Sequence, residues 1–153
     1  LACGLGANAL FLARRGFRVD AWDLSPEAIA RVEEAAGALP LRARARDVVA
    51  DPPPPASYDV IVVRRFLERA LAPAISAALA PGGLLYYQTF TRERVTDKGP
   101  GRPEYRLAAN ELLVLFRDLR LRAYREEGTL GDTTRGLRDE ALLVAERPAP
   151  PGD

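Results

Sequence analysis

The chain has 153 residues, of which 48% are hydrophobic and 28% charged, and its formal net charge is +1. This length and composition predict one globular domain with a sizeable core, and the near-neutral charge argues against nucleic acid or an anionic membrane as a partner. No apolar run approaches the ~20 residues that a membrane helix requires. The single cysteine, Cys3, excludes an internal disulfide and suits a reducing, cytoplasmic compartment.

The hydrophobic pattern alternates between strands and helices along most of the chain. In chain order it predicts the end of a strand at 1–3, a helix at 7–15, a strand at 17–22, a helix at 26–36, strands at 41–45 and 58–63, a helix at 72–79, a strand at 84–90, a helix at 110–116, and closing strands at 119–125 and 141–146. Such alternation predicts an α/β fold with a doubly wound, mostly parallel sheet. The last two strands, with little helix between them, predict an antiparallel C-terminal hairpin.

Helix boundaries in the first half of the chain carry clear signals. Ser25 is a good N-cap and Pro26 suits the first helical position. Gly16 and Gly37 are placed to end the first two helices. The helices are therefore predicted to be short and well delimited.

Residues 91–106 and the two termini fall outside the alternation. Residues 91–106 are polar and rich in Gly and Pro, which predicts a long loop, and five basic against three acidic side chains leave it at +2. That balance fits either an anionic substrate or an ordinary solvated loop. We expect residues 1–147 to form the domain and 148–153 a disordered tail. Since the sequence has no methionine, we expect a fragment that lacks most of its first strand.

The opening sequence LACGLGANALFLARRG places Gly4 and Gly6 between a strand end and a helix. Glycine lets the backbone approach a ligand with no Cβ in the way, and the helix after it directs free N–H groups toward an anion. Asp23 ends the next strand, 17 residues after Gly6, about where an acid that binds ribose hydroxyls should lie. Loop and acid together predict an adenosine-type cofactor; either alone also fits a tight turn or a solvated strand end.

These residues resemble the class I S-adenosylmethionine-dependent methyltransferases. LACGLGANALFLARRGFRVDAWDLSPEAI is similar to the first two motifs of that family, and closest to its tellurite-resistance-like small-molecule branch. YDVIVV and LAPGGLLYYQTF resemble its fourth and fifth strands. The resemblance implies a Rossmann-like fold, S-adenosylmethionine as cofactor, and methyl transfer to a small-molecule acceptor. It also implies an acidic residue two positions before Ala2, which this chain starts too late to show.

The resemblance further implies which residues contact the cofactor. The opening loop would line the methionine part of the cofactor, with help from the start of the first helix. The end of the second predicted strand would hold the ribose and touch the adenine. The end of the third strand would accept a hydrogen bond from the adenine amino group, and the end of the fourth would lie beside the reactive methyl group. The residues so implied are Ala2, Cys3, Gly4, Leu5, Gly6, Asn8, Asp23, Leu24, Asp47, Val48, Arg64 and Phe66. For Asp47, a surface acid beside Arg46 is an equally open interpretation. Residues 64–66 could equally form a solvated loop with one core phenylalanine.

Methyl transfer requires neither a metal nor a covalent nucleophile, and neither is predicted. Tyr86 and Tyr87 are candidate general bases or proton donors, although they alternate across a strand and one of them is expected in the core. Cys3 is expected to be a small buried residue under the loop rather than a nucleophile. Two alternatives stay open: a fragment of an NAD(P)-binding Rossmann oxidoreductase, and a non-catalytic relative that binds the cofactor or acts as a scaffold.

Overall fold

The computed structural model describes residues 1–149, which form two compact units, Leu1–Pro52 and a second unit that begins at Pro53. The described strands form two hydrogen-bonded sheets, one of two strands and one of four. The two-stranded sheet lies in the first unit and the four-stranded sheet in the second, and each unit is considered by itself.

The first unit is a small α/β layer. Its elements are α1 (Ala7–Arg14), β1 (Val19–Asp23), α2 (Pro26–Ala36) and β2 (Leu41–Ala45). The two strands pair in parallel, with Val19 opposite Leu41 and Asp23 opposite Ala45. The buried cluster between strands and helices consists of Ala9, Ala21, Ile29, Val32 and Ala43. As the sequence predicts, the Ser25 hydroxyl caps α2 by accepting from the Ala28 N–H at 3.2 Å.

The second unit contains the larger sheet. Its elements are β3 (Tyr58–Arg64), α3 (Ala72–Ala78), β4 (Leu79–Phe90), α4 (Glu111–Leu115), β5 (Arg120–Arg125) and β6 (Glu140–Glu146). The strand order is β3-β4-β6-β5, in which β3 and β4 are parallel and the other two pairings antiparallel. Because β6 runs against β4, Glu140 lies opposite Phe90. The carboxyl end of β4 and the start of β6 therefore meet at one edge of the sheet.

The fold prediction is confirmed in its main features. Parallel β1–β2 and β3–β4 pairs alternate with helices, and β5 and β6 form the antiparallel C-terminal pair. Several boundaries differ from the prediction by one residue, and three differences are larger. Residues 1–3 are not a strand, β1 begins at Val19 because the Phe17 N–H still bonds to the Leu12 carbonyl at 3.2 Å, and β4 begins at Leu79, which pairs with Tyr58 ahead of a register shift.

Residues 91–106 form a loop, as predicted. The loop contains one short 3₁₀ turn at Pro103–Tyr105. Of the predicted tail, Pro148 and Ala149 are exposed and without regular secondary structure, and residues 150–153 lie outside the described residues. Within residues 1–149, no helix has the length and apolar character needed to cross a bilayer.

Candidate functional site

Three alternate residues of the opening loop of the first unit have left-handed backbone. Ala2, Gly4 and Gly6 have φ values of 48°, 52° and 76°. The Cys3 N–H donates to the Trp22 carbonyl at 2.8 Å, and the Gly6 N–H donates to the Cys3 carbonyl at 2.9 Å. These bonds hold the loop against the end of β1 and lead it directly into α1.

The Asp23 carboxylate faces this loop from the end of β1. Its Oδ2 accepts a hydrogen bond from the Gly4 N–H at 2.7 Å, and its Oδ1 accepts one from the Ser25 N–H at 3.0 Å. Each carboxylate oxygen has two lone pairs. Both oxygens thus retain capacity for a further donor, such as a hydroxyl of a ligand, while the two backbone bonds fix the orientation of the group.

The two glycines of the loop have different surroundings. A Cβ on Gly4 would meet nothing within 4 Å, whereas a Cβ on Gly6 would lie 2.7 Å from Cγ2 of Val32 in α2. Gly6 is therefore required for close packing of the loop on α2, and Gly4 leaves open space above its backbone. Leu5 and Asn8 are both exposed, and α1 begins at Ala7, with Gly6 as an N-cap that makes no side-chain hydrogen bond.

Cys3, expected to be a small buried residue, is partly buried. It packs against the core cluster of the first unit, and its thiol donates to the Gly4 carbonyl at 3.6 Å. Burial, followed by the nearby charge of Asp23, raises the pKa of the thiol. A protonated thiol is a poor nucleophile, which agrees with the packing role predicted for this residue.

The end of β2 lies beside the end of β1, since the Arg46 N–H donates to the Asp23 carbonyl at 2.8 Å. Asp47 is exposed, and its Oδ1 accepts from the N–H groups of Val49 and Ala50 at 2.9 and 3.3 Å. It therefore orders the turn that follows the strand, and the side chain of Val48 is buried beneath that turn. The structure thus places Asp47 and Asp23 at the same edge of this sheet.

Two further features of the first unit are not evident in the sequence. The Arg46 guanidinium lies 4.0 Å from the ring centroid of Trp22 and donates to the carbonyls of Asp51 and Pro52. Leu24, predicted to touch the adenine, is 72% exposed although it is apolar. An exposed leucine beside an oriented carboxylate is available to contact a flat apolar ligand surface.

Of the residues predicted at the end of β3, Arg64 is exposed and Phe66 is partly buried. The Phe66 carbonyl accepts a hydrogen bond from the Tyr87 hydroxyl at 2.9 Å. Tyr87 is 2% exposed, and burial strongly raises its pKa, whereas Tyr86 on the opposite face is 40% exposed. The expectation that one of the two tyrosines belongs to the core is confirmed, and the properties of Tyr87 are unsuited to a general base.

A polar cluster at the carboxyl end of β3 and β4 was only partly visible in the sequence. Arg65 has a φ of 55°, and its Nε donates to Glu140 Oε1 at 2.9 Å. Gln88 donates its side-chain amide to the other oxygen of the same carboxylate. Sequence reasoning placed Arg65 here but missed both partners, because Glu140 is 75 positions further along the chain.

Residues 91–106 are anchored to the rest of the second unit at several points. The buried Arg106 guanidinium donates to the carbonyls of Thr91, Lys98 and Pro100, and the Asp139 carboxylate accepts from Thr96 and the Val95 N–H. This loop is thus well ordered by its own side chains. Among residues 1–149, no cluster of three or more His, Cys, Asp or Glu side chains is placed to hold a metal ion.

Residues 1–83, more than half of the chain, match the family described as "Methyltransferase domain". The chain belongs to this methyltransferase family. The resemblance inferred from the opening loop and Asp23 is therefore confirmed at the level of the family, and the match favours it over the oxidoreductase alternative. One curated relative of this methyltransferase domain is hemagglutinin 1 of Eikenella corrodens, 44% identical over 92 residues. That match covers 54% of this chain and 30% of the relative.

Solved structures share the fold of this methyltransferase domain at low sequence identity. TehB from Haemophilus influenzae is 23% identical, with a TM-score of 0.76 over 95% of this chain and 55% of that protein. An S-adenosylmethionine-dependent methyltransferase from Methanosarcina mazei is 18% identical, with a TM-score of 0.74 over 97% of this chain and 91% of that protein. The chain thus spans about half of TehB and less than a third of hemagglutinin 1.

Proposed function

We propose that this chain is the cofactor-binding and catalytic part of an S-adenosylmethionine-dependent methyltransferase that acts on a small molecule, with residues 1–147 as its domain. The observation that carries the proposal is the Asp23 carboxylate, fixed at 2.7 Å by the N–H of Gly4, a residue that leaves open space where a side chain would stand. Membership of the methyltransferase family supports it.

The first unit has the donors and acceptors that such a cofactor needs. The Asp23 oxygens can accept from two vicinal ribose hydroxyls, since charged acceptors bind neighbouring donors strongly. The left-handed loop from Ala2 to Gly6, with open space over Gly4, would lie along the amino-acid part, and Asn8 is exposed at the start of α1. Leu24, Asp47 and the Val48 backbone would contact the adenine.

Two of the predicted site residues belong to the second unit. Arg64 and Phe66 follow β3, the position where the family resemblance implies residues beside the methyl group. Tyr87 is excluded from proton transfer in this proposal, since its hydroxyl is buried and bonded to the Phe66 carbonyl. Tyr86, the other tyrosine named from the sequence, is 40% exposed and stays a candidate for proton transfer.

The protein's part in the chemistry is alignment and exclusion of water. S-Adenosylmethionine supplies a methyl group on a sulfonium, which is a good leaving group. The acceptor's lone pair forms the new bond to the methyl carbon as the carbon–sulfur bond breaks, and S-adenosylhomocysteine leaves. Correct positioning of the two reactants can contribute roughly 7–11 kcal/mol to such a step. No metal or covalent intermediate is part of the proposal.

Calorimetric titration of the chain with S-adenosylmethionine, S-adenosylhomocysteine and NAD tests this function. We expect the first two ligands to bind and NAD to bind far more weakly. Methyl release from labelled S-adenosylmethionine is then followed with a panel of oxygen, nitrogen and sulfur acceptors. Binding without turnover over a broad panel would favour the non-catalytic alternative, and preference for NAD would overturn the proposal.

A further inference from the structure

The second unit presents a cationic group at the carboxyl end of β3 and β4, the edge at which open α/β sheets bind their ligands. That group is the guanidinium of Arg65. Its Nε is bonded to Glu140, and its centre lies 5.4 Å from the ring centroid of Phe90. The Glu140 side chain is only 7% exposed, while the Arg65 side chain is 53% exposed. The cation thus has a buried anchor and an outward face.

The bonding of Arg65 differs from that of Arg106 and Arg69, two other arginines of this unit. Arg106 donates to three carbonyls of the 91–106 loop, and Arg69 donates to two carbonyls and to both oxygens of Glu111. Arg65, in contrast, uses only Nε, and within residues 1–149 its Nη1 and Nη2 make no hydrogen bond. The two terminal nitrogens therefore present donors to solvent.

The backbone of Arg65 supports a binding role. Its φ of 55° is uncommon for a bulky side chain, and its N–H bonds to the Gln88 carbonyl at 2.8 Å. Such strained positions occur preferentially at functional sites. The amide of Gln88 bonds to the second oxygen of Glu140, so the carboxylate that anchors Arg65 is itself held from another direction. The Glu140 carboxylate, the Gln88 amide that holds it and the Gln88 carbonyl that accepts from the Arg65 N–H thus fix the direction of the Arg65 guanidinium.

The cations of the 91–106 loop are less suited to this role. Arg106 donates to three carbonyls of the loop, Arg94 and Arg102 pair with the exposed Asp97 and Glu104, and Arg92 donates only its Nε, to the exposed Pro103 carbonyl. None of these four arginines is bonded to a buried carboxylate, as Arg65 is to Glu140. An anion that approaches this edge would find in Arg65 a guanidinium with unused, pre-oriented donors.

We propose that Arg65 binds an oxyanion group of the methyl acceptor, so that the acceptor is an acidic small molecule such as a carboxylate. The inference rests on the proposed methyltransferase function, which it refines by naming the substrate class. A planar guanidinium edge matches two oxygens of a carboxylate or phosphate. Glu140 and Gln88 act on the acceptor only through Arg65 and are positioning residues.

The test uses the full chain with sodium benzoate and inorganic phosphate as probes and benzamide as the neutral control, at constant ionic strength. We follow the Arg65 Nε–H resonance by ¹H–¹⁵N NMR, assigned by its loss in Arg65→Gln. The expected result is a saturable shift with benzoate or phosphate and none with benzamide. Arg65→Gln should lower probe affinity roughly tenfold or more, and the exposed Arg120→Gln should not change it.

Two further measurements separate the possible failures. Arg65→Lys keeps the positive charge but lacks the planar guanidinium with its paired donors. We therefore expect it to fold even where Arg65→Gln is unstable, and to bind the probe with intermediate affinity. S-Adenosylmethionine binding is titrated in each variant and should change less than twofold. The proposal is overturned if neither anion shifts Arg65, or if Arg65→Gln binds the probe like the wild type while the cofactor still binds. Loss of cofactor binding by the wild-type chain would instead contradict the proposed function.

Discussion

The N–H of Gly4 donates to Oδ2 of Asp23 at 2.7 Å across 19 positions of sequence. This bond joins the glycine loop before α1 to the carboxylate at the end of β1, the two features from which an adenosine-type cofactor was predicted. A backbone donor fixes one oxygen of the carboxylate without consuming its capacity to accept from a ligand. The pair is thus a preformed element of the candidate site.

Gly6→Ala is expected to destabilise the chain more than Gly4→Ala. Both substitutions place alanine at a positive φ, which costs about 1–2 kcal/mol, but only the Gly6 Cβ would lie 2.7 Å from Val32 Cγ2. Overpacking of this kind adds about 1–3 kcal/mol. Urea unfolding of the two variants measures the difference. Val32→Ala in the Gly6→Ala background should recover part of the loss, and equal unfolding free energies for the two single variants would contradict the assigned contact.

Arg106→Gln is expected to loosen the 91–106 loop. The substitution removes charged hydrogen bonds to the carbonyls of Thr91, Lys98 and Pro100 inside a buried site, and we expect a loss of about 2–4 kcal/mol in unfolding free energy. Limited proteolysis with subtilisin, followed by mass spectrometry, should show faster cleavage within the loop. The exposed Arg102→Gln serves as control. Equally rapid cleavage of the wild type and the variant would show that the loop is already mobile with this anchor in place and would contradict the assigned role.

The ion pair between Arg69 and Glu111 should make stability depend on acid pH. Hydrogen bonds from Arg69 lower the pKa of Glu111 below its ordinary value, and Nη2 of Arg69 lies 3.0 Å from Oε2. A lowered folded-state pKa stabilises the protein above the unfolded value, near pH ~4.3, and this contribution is lost as pH falls through the folded value.

Glu111→Gln should accordingly lower the unfolding free energy by about 1–3 kcal/mol at neutral pH, and the gap to the wild type should narrow as the pH falls below the unfolded value of about 4.3. Denaturant unfolding at several pH values, with the exposed Asp118→Asn as control, checks this. A gap that stays constant down to the lowest pH would mean that the charge of Glu111 does not contribute.

The order of strands and helices could be predicted because hydrophobic periodicity and helix caps are local properties. Ser25, Gly16 and Gly37 lie at the helix boundaries they were predicted to form. The approach of Asp23 to the glycine loop was also predictable, since a parallel strand and the turn beside it meet at one sheet edge. The extension of β4 back to Leu79 was not, because Pro81, Gly82 and Gly83 have the composition of a turn.

The remaining polar contacts depend on tertiary structure. Glu140 reaches Arg65 only because β6 runs antiparallel to β4, and no spacing in the sequence encodes that meeting. Arg106 lies in a charge-rich segment whose composition indicates solvent exposure, yet it is 3% exposed because the loop wraps its carbonyls around the guanidinium. Long-range pairing of this kind follows from the fold rather than from the local pattern.

The most direct test of the central claim is a calorimetric titration of S-adenosylmethionine into the wild type, Asp23→Asn and the control Asp59→Asn, an exposed carboxylate on β3. Asparagine keeps the size of the side chain but removes the charge that would accept from the ribose hydroxyls. We expect Asp23→Asn to weaken binding by about 1–3 kcal/mol, roughly fivefold or more, and Asp59→Asn to bind like the wild type. Unchanged affinity in a folded Asp23→Asn protein would contradict the claim.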